Sequence, residues 1–286
     1  MRRTETLPKS EPEKAAVRPG EIVLRIASAL VLAAVALGAT LYSPWTFLVL
    51  VMVGGGLAVW EWGRLTRGNG FDGTALISAV AVGAAAVLIS LRQPNLAALI
   101  LTAVSVAIFV TQPTRSESAW SLAGLLYVAL PAAALVWLRG DPALGAIAVV
   151  YLFVVAWTTD TASYAAGRLI GGPKLAPRIS PRKTWSGFII GALTPALVGI
   201  AFAFALKSTS ALWLALVSVA LALACQAGDL TESWVKRRFG AKDMSRMIPG
   251  HGGLLDRIDG VLFAAVVAAL IAVRDLANPG RGLLIW

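Results

Sequence analysis

The sequence predicts an all-α, polytopic integral membrane protein. Three observations carry that reading. Hydrophobic residues make up 58% of the 286 residues and charged residues only 14%, whereas charged residues are about 25% of an ordinary soluble domain. The mean hydropathy is +0.77, far from the low hydrophobicity that keeps a chain disordered. The apolar residues come in long runs, not in the ten-residue alternating segments of a β-barrel. A single cysteine, Cys225, excludes an internal disulfide, and a single histidine, His251, excludes a multi-histidine zinc site. The net charge of +10 would suggest nucleic acid in a soluble protein. Here basic loops that set topology and meet anionic lipid account for it, and no nucleic-acid partner is expected.

A spanning helix needs about 20 mainly apolar residues. Nine runs qualify: 22–42, 44–60, 72–91, 95–112, 119–138, 142–167, 186–206, 210–228 and 258–274. The second is read as tilted or shortened, because Gly54, Gly55 and Gly56 loosen its middle. The polar residues 1–21 precede a full-length apolar run, which fits a retained anchor behind a cytoplasmic tail better than a cleaved signal peptide. With the N-terminus inside and nine alternating helices, 20 of the 25 Lys and Arg residues fall inside and 5 outside. That split supports a cytoplasmic N-terminus. It also turns the two most polar loops, 168–185 and 229–257, toward the cytoplasm. Residues 1–21 thus form a tail, 22–140 spans with plain loops, and 141–286 the membrane helices that carry the polar site.

Carboxylates are scarce, so their positions are informative. Glu61, Asp160, Asp229, Glu232, Asp256 and Asp259 sit in or beside apolar helices. A carboxylate at membrane depth is costly and normally faces a partner or a watery cavity. Asp160, Ser163, Tyr164 and Gly167 share one helix face by their spacing of i, i+3, i+4 and i+7. That face is either polar glue between helices or a metal and substrate face. Lys174 to Gly187 holds Pro177 and Pro181, which break helix, and reads as a rigid loop. Its Ser180, Arg182, Lys183 and Thr184 suit phosphate, although an inside-positive loop would look the same. Gly187 and Gly191 have the spacing of helix packing.

The strongest segment is 229–259. Asp229, Glu232, Ser233 and Lys236 share a helical face, and Gly240 is a plausible helix stop. Pro249-Gly250-His251-Gly252-Gly253 follows, and Asp256 and Asp259 open the last span three residues apart. Carboxylates from two helix ends around a basic, glycine-rich loop are what a Mg²⁺–nucleotide site needs. The alternative is a charge-paired structural loop, with Asp256 bound to Arg257 or Lys236. No P-loop GxxxxGK[ST] occurs.

The run Ser233-x-x-Lys236-Arg237-x4-Lys242-Asp243-x5-Pro249-Gly250-His251-Gly252-Gly253-x2-Asp256-Arg257-x-Asp259 resembles the signature of the phosphatidate cytidylyltransferases, or CDP-diacylglycerol synthases. Ser180-Pro181-x-Lys183-Thr184-Trp185 and the Asp160 helix resemble two further segments of that family. The resemblance implies transfer of CMP from CTP to phosphatidate, giving CDP-diacylglycerol and pyrophosphate with Mg²⁺. It also implies a multi-pass inner (plasma) membrane protein that forms a homodimer, with its active site facing the cytoplasm. Carried over, Asp229 and Asp256 would be metal ligands, with Asp160 and Asp259 as supporting carboxylates. Lys236, Arg237 and Lys242 would bind CTP phosphates, with Arg257 beside them. Ser180, Lys183 and Thr184 would meet the phosphatidate head group, and His251, Gly252 and Gly253 would shape the nucleotide loop. The sequence departs from the family at Ser186, where many members carry Glu, and at Arg182, where Lys is common. That bears on any metal or base role at 186.

Two other functions share some of these features. A CTP-dependent lipid or polyprenol kinase would use the same metal and nucleotide but release CDP. A cation-coupled secondary transporter could use Asp160. Transporters, however, show paired repeats and a polar path across the bilayer, and here the polar residues cluster toward one face.

Overall fold

The computed structural model describes residues 19–207, 210–245, 247, 248 and 252–286. The predicted tail lies outside the described residues except where it opens the first helix. Ten longer helices and one short one follow in order: α1 (Pro19–Tyr42), α2 (Pro44–Arg67), α3 (Gly73–Ser90), α4 (Pro94–Thr111), α5 (Arg115–Arg139), α6 (Gly145–Leu169), α7 (Trp185–Leu193), α8 (Pro195–Leu206), α9 (Ala211–Arg238), α10 (Leu255–Ala272) and α11 (Pro279–Leu284). A hairpin of β1 (Lys174–Ala176) and β2 (Ser180–Thr184) separates α6 from α7. Among the described residues, seven helical segments are long and apolar enough to cross a membrane, α7 and α8 counting as one. The protein is an all-α polytopic membrane protein. Leu30, Leu99, Val110 and Phe204 stand on its outer surface, as suits helices that face lipid.

Local chemistry sets the helix ends. Ser43 and Thr46 form a reciprocal capping box at the start of α2, and Gly68 ends it with φ 75°. Asp72 caps α3 through the Ala75 N–H at 2.7 Å and also takes Arg67 Nε at 2.6 Å. Burial alone would raise the Asp72 pKa. The hydrogen bonds from Arg67 and the Ala75 amide outweigh it and hold the carboxyl below its ordinary value.

Three expectations change. The second span is neither shortened nor loosened: α2 runs 24 residues without a break. Gly55 serves packing instead, since a Cβ there would meet the Val82 side chain at 2.8 Å. The span over 186–206 is two helices, because Pro195 has no N–H to continue the ladder. The loop over Lys174–Gly187 contains a two-stranded hairpin, with Lys174 opposite Thr184 and Ala176 opposite Ser180. A two-stranded ribbon is all edge, which is why it tolerates Pro181 in β2.

Side-chain contacts define two ends of the bundle. At one, Arg67 of α2 donates to Ser121 of α5, and the ring of Trp120 of α5 lies tilted against Trp234 of α9 and edge-on to Phe239 just past its end. At the other, Arg139 of α5 donates to the Thr40 carbonyl of α1, and Trp213 stacks on Trp286. α10 packs between α5 and α9, and α6 packs on α7 and α9. The α9–α10 crossing is close. A Cβ on Gly228 would strike the Asp259 carbonyl, and one on Gly260 would meet Cys225 O at 3.2 Å. Those two glycines let the backbones approach, which brings Asp229 and Asp259 together.

Candidate active site

Polar ends of α6, α9 and α10, with the hairpin and the start of α7, enclose a cavity of about 720 Å³. The stripe on α6 reaches it complete: Asp160, Ser163, Tyr164 and Gly167 all line the wall. Arg168 joins them and donates to the Tyr164 hydroxyl at 2.8 Å. The stripe and the α6–α7 packing come from one source. Gly187 and Gly191 back directly onto Ser163 of α6, so the GxxxG spacing serves helix contact. It leaves the Ser163 hydroxyl buried with no partner among the described residues.

From the hairpin come Arg182, Lys183 and Thr184. Lys183 pairs with Asp229 of α9 at 2.5 Å. Thr184 also caps α7, accepting from the Gly187 N–H at 3.2 Å. Ser186 donates to the Gly171 carbonyl and shares a hydrogen bond with Thr184 at 3.0 Å. At the position where the resemblance leads one to expect a carboxylate, this chain has a latch between the α6–β1 turn and α7.

α9 presents Asp229, Glu232 and Lys236, and α10 presents Asp256, Arg257 and Asp259. Lys236 Nζ lies 2.6 Å from both Glu232 Oε2 and Asp256 Oδ1. Asp256 Oδ2 accepts from the Met244 N–H at 2.9 Å and the Gly253 N–H at 2.8 Å. Asp256 is paired with Lys236, as the charge-paired alternative has it, and it also lines the cavity. Glu232 is 1% exposed, and its Oε1 has no partner among the described residues. Gly252 takes φ +83°, which few side chains tolerate.

The remaining expected site residues stand apart. Arg237 donates to the carbonyls of Ile179 and Ala241 at 3.2 and 3.3 Å, tying the hairpin turn to the end of α9. Lys242 is exposed in the following loop, and Ser180 opens β2 opposite Ala176. None of the three lines the cavity. His251 lies outside the described residues. Sequence reasoning left Glu61 without a role, yet it is 0% exposed and holds the start of α10. Its one signal was its rank among the six carboxylates in or beside apolar helices.

Metal fit follows from these contacts. Asp160, Asp229 and Asp259 are hard oxygen donors on one cavity. Among the described residues, no hydrogen bond or ion pair takes Asp160. Asp256 already has both oxygens committed. No three such side chains are gathered tightly enough, among the described residues, to make a preformed metal cage.

The cytidylyltransferase family profile matches residues 23–273. The chain belongs to that family. It is 46% identical over 164 residues to a phosphatidate cytidylyltransferase of Brucella suis biovar 1 (strain 1330), covering 57% of this chain and 61% of the relative. It is 36% identical over 165 residues to one from Rickettsia bellii (strain RML369-C), covering 55% of this chain and 71% of that protein. It is 43% identical over 127 residues to one from Staphylococcus haemolyticus (strain JCSC1435), covering 44% and 49%. The match thus spans about three fifths of the length of the Brucella relative.

Proposed function

We propose that this member of the cytidylyltransferase family transfers CMP from CTP to phosphatidate, giving CDP-diacylglycerol and pyrophosphate. The observation that carries the reading is the mixed charge of one cavity. Asp160, Asp229 and Asp259 share it with Arg168, Arg182, Lys183, Lys236 and Arg257. Two phosphate-bearing anions must meet for this reaction, and neutralising them is most of the barrier. The names of the relatives supply the nucleotide and the lipid.

In this reading a phosphate oxygen of phosphatidate forms a bond to the α-phosphorus of CTP. The bond from that phosphorus to the β-phosphate oxygen breaks, and pyrophosphate leaves. Phosphatidate is already anionic, so no strong base is needed. Lys183 and Arg182 approach from the hairpin side and suit the lipid head group. Lys236 and Arg257 sit at the α9–α10 side and suit the nucleotide phosphates. Asp160 and Asp229 would hold Mg²⁺, with Asp259 in support, and the ion would offset phosphate charge when bound. Asp256 keeps Lys236 in place.

With nine spans, the Lys and Arg asymmetry supports an N-terminus and a cavity on the cytoplasmic side of the inner (plasma) membrane, where CTP is available. The seven long apolar helices would then be joined by α1 and α10. A homodimer rests on the family resemblance alone. The test is pyrophosphate release by purified protein in detergent with CTP, Mg²⁺ and phosphatidate. Lipid-dependent pyrophosphate supports the reading. CDP formed with a lipid alcohol would replace it with a kinase.

A further inference from the structure

We propose that Glu61 is a positioning residue for this reaction, holding Asp256 and Lys236 in register from the N-terminal half of the chain. The proposal rests on the functional reading above. Glu61 lies on α2 and is fully buried. Its Oε1 accepts from Ser245 Oγ at 2.6 Å and from the Leu254 N–H at 2.8 Å, and its Oε2 accepts from the Leu255 N–H at 2.7 Å. α10 has no side-chain cap of its own, Leu254 being its N-cap residue. Glu61 supplies that cap from more than 190 residues away. A carboxylate at a helix N-terminus satisfies orphan N–H groups and opposes the positive end of the dipole.

The grip interleaves with that of Asp256. Glu61 holds 245, 254 and 255. Asp256 holds the amides of the neighbouring residues 244 and 253, and Lys236. Residues 244–245 within the loop between α9 and α10, and 253–255 at its end, are thus pinned by two carboxylates, one from each half of the chain. Gly253 fits the same design. A Cβ there would lie 2.5 Å from Glu61 Oε1 and 2.9 Å from its Oε2. That glycine makes room for Glu61, so one residue of the Gly-rich motif serves the clamp and not a ligand. A catalytic group displaced by about 1 Å can lose about 100-fold in rate.

The experiment compares turnover per folded protein, with CTP, Mg²⁺ and phosphatidate, in wild type, Glu61→Gln and Ser245→Ala. The Gln amide cannot accept all three bonds. Its kcat should fall at least about tenfold, with the KM for phosphatidate within about twofold. Hydrogen exchange at 252–256 should speed up in parallel. Ser245→Ala, which removes one of the three bonds to Glu61 together with the bond that Ser245 Oγ accepts from the Met247 N–H, should fall between, and it decides the matter if Glu61→Gln does not fold. A second arm introduces Gly253→Ala. It should cost activity in the wild type and much less beside Glu61→Ala, where the collision is gone. Wild-type kcat in both Glu61→Gln and Ser245→Ala, or an equal Gly253→Ala loss in both backgrounds, overturns the proposal and leaves the functional reading standing. Wild-type protein that releases no pyrophosphate overturns the functional reading, and this proposal with it.

Discussion

The carboxylates in and beside the cavity fall into two regions that behave differently. At the α9–α10 corner, Asp256 and Glu61 have donors on every oxygen, and Lys236 bridges Glu232 and Asp256. On the open side of the cavity, Asp160 of α6 has no such partner among the described residues, and Asp259 of α10 accepts from its own neighbour, Gly260. The first region is assembled by folding. The second still has oxygens to offer. Breaking a buried ion-pair network strands a charge and costs stability. Neutralising a carboxylate that waits for a ligand should cost activity alone. The difference separates positioning from binding within one pocket.

The largest expected effect breaks the first region. Lys236→Met leaves Glu232, 1% exposed, and Asp256 without their shared cation. Removing one partner of a buried ion pair costs about 3–5 kcal/mol. Thermal unfolding in detergent should show a midpoint several degrees below wild type. A midpoint equal to wild type would mean that the corner is not a structural network.

The second effect tests the open face. Asp229→Asn should lower turnover about 100-fold to 1,000-fold, the scale of losing one preorganised electrostatic contact. Its ion pair with Lys183 joins side chains 24% and 37% exposed, and such pairs contribute about 1 kcal/mol or less. The unfolding midpoint should therefore stay near wild type. If midpoint and turnover fell together, the two regions would be one.

Much of this was legible in the chain, and the failures have physical causes. The i, i+3, i+4, i+7 rule put Asp160, Ser163, Tyr164 and Gly167 on one face, and all four line the cavity. The same rule explains Arg237. It stands one residue past Lys236 and so about 100° round the helix, which turns it to the hairpin. A linear motif gave both residues the same role. Ser180 and Lys242 stand off the cavity for a similar reason, because adjacency in a motif does not say which way a side chain points. Glu61 was noticed as an intramembrane carboxylate, but no local pattern names partners 184 to 194 residues away. The hairpin was hidden by its brevity and its prolines.

A third and smaller effect concerns Ser186, which belongs to neither region. Ser186→Ala removes the hydrogen bond to the Gly171 carbonyl, worth about 1 kcal/mol. The midpoint should drop slightly and turnover should stay within about threefold of wild type. A Ser186→Ala turnover as low as that of Asp229→Asn would move Ser186 into the reacting part of the cavity.

The smallest effect is a control for the comparison, placed outside the cavity. Asp72 is partnered as fully as Asp256, by Arg67 and the Ala75 amide, but it stands between α2 and α3. Its folded pKa lies below the unfolded value, which is about 3.9. A depressed carboxylate contributes stability that is present above the unfolded pKa and is lost as pH falls through the folded one. Asp72→Asn keeps a good N-cap residue and loses the negative charge that faces Arg67, so at neutral pH it should cost about 1 kcal/mol or less. The gap between the unfolding midpoints of wild type and Asp72→Asn should therefore be widest above about pH 5 and close as pH falls below about 4. Turnover should not change. If Asp72→Asn did lower turnover, full partnering would no longer distinguish a carboxylate that builds the fold from one that serves the cavity. The Asp256 corner would then need its own explanation.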